Sequence, residues 1–265
     1  MQTPAANSAV VPSLRPDYPP EMLAAWSRRH EELVALARSG EIEVAFFGDS
    51  ITEAWRTTGA EAWNRSFAPL RAGNFGISGD RTQQVLWRMQ HGELDGLNPK
   101  VAIVLIGTNN TSPGLGENSL TRRNTPAEIA EGVTAVVETL RHQLPRIRVL
   151  LLGIFPRGLR HDPAREEIAR INAVLALAYA ESPWVRFLDI GRRFLDADEA
   201  LPVDLMPDAL HLSPAGYEIF RDSIQEPIAL MLAQSHRIPS HAEVIEKSRP
   251  AFSNFDRPQM QRDGW

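Results

Sequence analysis

The chain of 265 residues contains no cysteine. That excludes disulfides, thiolate metal sites and a cysteine nucleophile, and it leaves the redox compartment open. No apolar run approaches the ~18 residues of a membrane-spanning helix. No block of Lys and Arg offers a track for a nucleic-acid backbone. Met1 to Pro20 is interrupted by Pro, Asn, Ser, Arg and Asp and lacks the continuous apolar core of a secretory signal, so cytoplasmic placement is the default expectation, with periplasmic or secreted placement open if a signal has been trimmed. The seven histidines show no paired metal-ligand spacing. Neither a Walker loop nor a G-x-G-x-x-G fingerprint follows the first apolar run, which weighs against a nucleotide-binding module.

What is present is enough for one core. Forty-three per cent of the residues are apolar, and 28 basic against 33 acidic residues leave a net charge of −5, suited to a small neutral or mildly polar substrate. After an irregular arm over residues 1–19, Met22, Leu23, Trp26, His30, Leu33, Val34 and Ala37 recur at helical spacing until Gly40. Five apolar runs then alternate with helical patterns: Glu43–Phe47, Leu70–Phe75, Lys100–Ile106, Ile147–Gly153 and Val185–Asp189. Short β-rich runs separated by crossover helices imply a parallel sheet covered on both faces. Asp80 with Gln83 is expected to cap one helix, and Thr125-Pro126-Ala127-Glu128 reads as a capping box for the next. Asp162-Pro163 opens another, and Ser213-Pro214 opens the last, which is expected to bend or split at Pro227. The six tryptophans are scattered, as core and helix-packing residues would be.

The chemistry gathers at the ends of the apolar runs. Gly48-Asp49-Ser50 follows the first of them, and the carboxyl edge of an open α/β sheet is where such folds bind ligands. Taken singly, the triplet is also an ordinary strand-to-helix turn with an N-cap serine. Three further loops change its meaning. A serine hydroxyl needs a base, and Asp208 with His211, three residues apart, supplies an imidazole and a carboxylate to fix its tautomer. A tetrahedral intermediate needs donors for its oxyanion, which the amides of Ser50 and Gly79 and the side chain of Asn109 can provide. Asp49 reads as an organiser of its own loop.

These residues are similar to the four blocks of the SGNH (GDSL-type) hydrolases: Gly48-Asp49-Ser50-Ile51, the glycine of Gly76-Ile77-Ser78-Gly79-Asp80, Gly107-Thr108-Asn109-Asn110, and Asp208-Ala209-Leu210-His211-Leu212-Ser213. Asn74-Phe75-Gly76, the stretch Thr82 to Arg88 and Phe155-Pro156-Arg157-Gly158 further resemble the branch of platelet-activating-factor acetylhydrolase Ib catalytic subunits and their bacterial relatives. The likeness covers residues 40 to 232. It implies a flavodoxin-like α/β sandwich with five parallel strands, Ser50 as nucleophile, Asp208 and His211 as its partners, and Gly79 and Asn109 as oxyanion donors.

The resulting expectation is a serine esterase for short acyl groups, acetyl above all, needing no cofactor or metal. Acyltransfer on the same scaffold and a non-catalytic doubly wound binding module are the alternatives. Ser78, Arg81 and Asn110 are expected to line the substrate site, and Arg157 either touches substrate or anchors its loop. The chain divides into an arm and helix (1–40), the hydrolase domain (41–234) and an extended tail (235–265). The loop Thr111 to Asn124, with Gly114 and Gly116 as hinges, is expected to cover the site. The tail, carrying Ile238, Val244, Ile245, Phe252, Phe255 and Trp265, is expected to pack on a second copy in a homo-oligomer.

Overall fold

The computed structural model describes residues 6–115 and 120–235. Gly116 and the tail residues from Ile238 to Trp265 lie outside the described residues.

Strands β1 (Val44–Gly48), β2 (Ala72–Gly76), β3 (Val101–Leu105), β4 (Arg148–Leu152) and β5 (Val185–Leu188) form one parallel sheet in the order β2-β1-β3-β4-β5. This is the flavodoxin-like order expected of the sequence. Each apolar run became a strand because its residues are needed on both faces. Val44 and Phe46 enter one core with Val101, Ile103 and Leu105, while Ala45 and Phe47 enter the other with Ala102 and Val104. On the second of these faces lie helices α1 (Pro20–Arg38), α4 (Thr82–Arg88), α5 (Pro126–Gln143) and α6 (Pro163–Ala178). The first is covered by α2 (Ser50–Glu53), α3 (Ala60–Ser66) and α7 (Pro214–Ser235).

Helix boundaries follow local chemistry. The Thr125–Glu128 capping box forms on both sides, and Asp162 accepts the amide of Ala164 at 2.9 Å. Trp26 and Trp55 are buried, and Trp63, Trp87 and Trp184 pack against the two cores. Helix α3 occupies a stretch whose apolar period is too short to read. Two expectations are corrected. Helix α7 runs unbroken through Pro227, which is buried. The cap of α4 comes from Gln84, whose side chain accepts the Arg81 amide at 3.2 Å. Asp80 is instead fully buried, receiving the Trp26 indole at 2.7 Å and the Arg88 Nε at 2.8 Å.

The described part of the arm preceding α1 is irregular, and several of its residues are bonded to the body of the fold. Asn7 caps a short turn over Ser8–Val10, the Thr82 hydroxyl donates to the Ala9 carbonyl at 2.7 Å, and the Ser13 amide donates to Gln83 O at 3.2 Å. Ala9 is fully buried against Gly132 of α5.

Register places the site. Gly48 stands level with Gly76 of β2 and Leu105 of β3, so the loops after three adjacent strands start at one height. Between β1 and β3 the chain reverses its direction of winding, which opens a crevice at their carboxyl ends.

Candidate active site

Gly48 is glycine because α2 folds back against the strand end. A Cβ there would run into Thr52 Oγ1 and the Leu105 carbonyl. The turn is held by Asp49, whose Oδ1 accepts the Ile51 amide at 3.0 Å while its carbonyl accepts the amide of Glu53 at 2.8 Å. Asp49 is thus the loop organiser the sequence suggested. Its carboxyl is buried with Oδ2 unpartnered, and burial pushes its pKa up to about 7 despite the opposing Ile51 amide. Beneath the turn the Tyr217 hydroxyl donates to the Ile51 carbonyl at 2.7 Å, and Trp55 packs on Tyr217, Phe220 and Phe67.

Ser50, half-buried at the head of α2, places Oγ 3.0 Å from His211 Nε2. His211 Nδ1 lies 2.7 Å from Asp208 Oδ2. The carboxylate accepts a hydrogen bond from Nδ1–H, so Nε2 is left as the acceptor facing the serine. Asp208 Oδ1 also takes the amides of Leu210 and His211, at 3.0 and 2.7 Å, and this turn is closed by Ala209 in the left-handed region at φ 56°. Burial draws the Asp208 pKa upward, but the His211 ring and the two amides outweigh it and hold it below the ordinary carboxylate value. Both side chains are open to solvent, at 45% exposure for His211 and 56% for Asp208.

The second and third loops leave the same edge of the sheet. Ile77 to Asp80 is a tight turn, closed by the Asp80 amide on the Ile77 carbonyl at 3.2 Å. Gly79 sits there at φ 80°, a conformation open to glycine, and no backbone acceptor takes its N–H among the described residues. Asn109, half-buried, uses one N–H of its side chain on the Asp80 carbonyl at 2.8 Å, which fixes the direction of the other. Hydrogen bonds thus join Ser50, His211 and Asp208 in one line, and a separate one ties the Asn109 side chain to Asp80, next to Gly79.

The residues expected against substrate divide. Ser78 is exposed beside Gly79, with its hydroxyl on Glu53 at 2.5 Å. Asn110 is fully buried, bonded to the Thr82 amide, the Gln83 and Asn124 side chains and the Thr82 hydroxyl at 3.0–3.2 Å, so no part of it reaches the crevice. Arg81 is also buried and spends its guanidinium on the carbonyls of Ser112 and Arg122 at 2.6 and 3.0 Å. It clamps the loop rather than lining the site. Arg157 donates to the Thr108 carbonyl at 3.2 Å, which is the loop-anchoring alternative. Gly114 is no hinge: its amide donates to Thr121 O at 2.7 Å, and Asp17 and Thr121 crowd its Cα.

Sequence reasoning missed the arm. Arg15 donates to the Gly79 carbonyl and to Asp17 Oδ2, Tyr18 donates to the Ser78 carbonyl at 3.3 Å, and Asp17 accepts the Leu115 amide at 3.1 Å. The only signal available was the cluster Arg15, Asp17 and Tyr18 within a proline-rich stretch. A cavity of about 500 Å³ lies elsewhere, beside β5 under Trp184 and Tyr179.

The profile of the GDSL-like lipase/acylhydrolase family matches residues 46–219. Platelet-activating factor acetylhydrolase IB subunit alpha1 of Homo sapiens is 35% identical over 209 residues, 79% of this chain and 85% of the human one. Subunit alpha2 of Mus musculus is 34% identical over 210 residues, 79% and 86% of the respective chains. In fold, the chain is similar to a crystal structure of a putative acylhydrolase from Bacteroides fragilis, with a TM-score of 0.64, 24% identity and coverage of 79% and 98%. It is also similar to Axe2, an acetylxylan esterase from Geobacillus stearothermophilus, with a TM-score of 0.55, 19% identity and coverage of 69% and 92%. By sequence, the chain belongs to the GDSL-like lipase/acylhydrolase family and is a carboxylic ester hydrolase.

Proposed function

We propose that the protein hydrolyses esters of short acyl groups, acetyl above all, through an acyl-Ser50 intermediate. The single observation that carries this reading is the unbroken line from Ser50 Oγ through the His211 ring to Asp208, at 3.0 and 2.7 Å.

In this mechanism Ser50 Oγ attacks the ester carbonyl carbon while its proton passes to His211 Nε2. The carbonyl π electrons move to oxygen, and the resulting anion is met by the N–H groups of Ser50, Gly79 and Asn109. Asp208 steadies the imidazolium without taking its proton. The intermediate collapses by expelling the alkoxide, which takes the proton from His211, and leaves the acyl-serine. Water then repeats the sequence in the second half-reaction, giving the acid and restoring Ser50. An ester and one water become an acid and an alcohol, with no other reactant.

The acetyl preference rests on what surrounds the serine. The loops after β2 and β3 carry Ser78, Gly79, Thr108 and Asn109, compact or polar groups with no run of Leu, Ile or Phe among them in the sequence. A long acyl chain would need an apolar groove contributing roughly 0.8 kcal/mol per buried methylene. A series of acyl lengths on one alcohol tests this: kcat/KM is expected to be highest for acetyl and to fall steeply beyond about butyryl. An optimum at octanoyl or longer would contradict it.

A further inference from the structure

An oxyanion donor works only if it is already aimed, and the donor least able to hold its own aim is the Gly79 amide. It belongs to the Ser78–Gly79 peptide, the central peptide of the Ile77–Asp80 turn. In such a turn the closing bond, here Asp80 N to Ile77 O at 3.2 Å, survives a flip of the central peptide, which interconverts types I and II and reverses the central N–H. Glycine at the third position accepts both states, because it tolerates φ of either sign. Something outside the turn has to choose between them.

The arm makes that choice. Tyr18 donates its hydroxyl proton to the Ser78 carbonyl at 3.3 Å, and in a planar trans peptide the carbonyl and the N–H point in opposite directions. Holding the Ser78 oxygen on the arm side therefore holds the Gly79 N–H on the other. Arg15 donates to the carbonyl of Gly79 itself, which fixes the following peptide. Its guanidinium lies 3.8 Å over the Tyr18 ring, and its other nitrogen is held at 3.1 Å by Asp17, whose side chain is buried. The Tyr18 hydroxyl lies so close to Gly79 that a Cβ at that residue would collide with it. A hydrogen bond accepted by the peptide carbonyl also polarises its N–H toward a developing anion.

We infer that Tyr18 and Arg15 are positioning residues for ester hydrolysis, with the N-terminal arm setting the orientation of the Gly79 oxyanion donor. This rests on the proposed role of Gly79 and Ser50. Its consequence is specific: the arm acts on the transition state and leaves ground-state binding alone, because the anion exists only after attack.

Tyr18→Phe removes one hydroxyl and keeps the ring under Arg15. Its kcat on an acetyl ester is expected to fall on the order of tenfold, less than complete loss of an oxyanion donor costs, with KM within about twofold of wild type. An alkylboronic acid, whose tetrahedral serine adduct places oxygen where the oxyanion forms, should bind more weakly by the same factor, while the melting temperature stays put. Arg15→Lys, which keeps a donor and the charge, should recover most of the activity that Arg15→Gln loses. Wild-type kcat and boronate affinity in Tyr18→Phe, beside an inactive Ser50→Ala control, would overturn the role of the arm and leave the catalytic serine standing. A fall in kcat with unchanged boronate affinity would overturn it as well. Full activity in the Ser50→Ala control would instead remove the reading on which the inference rests.

Discussion

The two sides of Ser50, the proposed nucleophile, are built in opposite ways. On one side Asp208 and His211 stand three residues apart in a single turn, largely open to solvent, and their geometry depends on two local amides. On the other, Gly79 and Asn109 are fixed by residues distant in the chain: the arm at Arg15 and Tyr18, the buried Asp80 with Arg88 and Trp26, and the Asn110 network joining α4 to Asn124 and Ser8. The difference follows from the chemistry. An imidazole must exchange protons with leaving alcohol and water, which an exposed turn permits. An oxyanion hole gains by being rigid, since donors that must reorient at the moment of reaction contribute little.

The strongest way to break this contrast is on the exposed side. Asp208→Asn should lower kcat on the order of 10³–10⁴ by freeing the wrong imidazole tautomer, while stability changes by no more than about 0.5 kcal/mol. Steady-state kinetics and thermal melts on one preparation check both halves, and a large loss of stability would show that the turn is structural. On the rigid side two neighbouring residues should separate function from folding. Asn109→Ala is expected to cost on the order of 10²–10³ in kcat with little change in melting temperature. Asn110→Ala should chiefly cost stability, about 1–3 kcal/mol, because it strands several buried partners. Exchange of these two effects would mean that the loop is placed one residue out of register.

A smaller effect concerns Asp49, directly before the serine. An unfolded chain releases this proton near the ordinary carboxylate value of 3.8, whereas the buried group holds it to about 7. The folded state is therefore favoured by that proton at low pH, and the advantage is lost as pH rises from about 4 to 7. Asp49→Asn lacks this dependence. Its melting temperature relative to wild type should climb across that window and level off above it, by an amount on the order of a few kcal/mol in stability. A flat difference between pH 4 and 8 would show that Asp49 is ionised in the fold.

Which parts were legible in the sequence follows the same division. The strands could be read because they are short apolar runs, those of β1, β3 and β4 buried on both faces, and the Asp208–His211 turn because its spacing is local. The roles of Arg81 and Asn110 could not. Polar residues beside a site look alike in sequence whether they face solvent or partner one another, and Asn109 and Asn110 differ only in where one step of a 3₁₀ turn over Thr108–Thr111 points them. Asp80 looked like a cap because carboxylates commonly are. Its partners, Trp26 and Arg88, come from separate helices, α1 and α4, far from each other in the chain. The arm was illegible for a related reason: it has no period of its own, and its order comes from α4, α5 and the Gly79 turn.

Acylation of Ser50 is the step on which all of this depends. Rapid acid quench of the wild-type enzyme during turnover of an activated acetyl ester, followed by peptide mass mapping, should find one acetyl group, on the peptide bearing Gly48-Asp49-Ser50, and none in Ser50→Ala. Stoichiometric acetylation of a different residue, or an Ser50→Ala enzyme that turns over and is labelled like wild type, would contradict it.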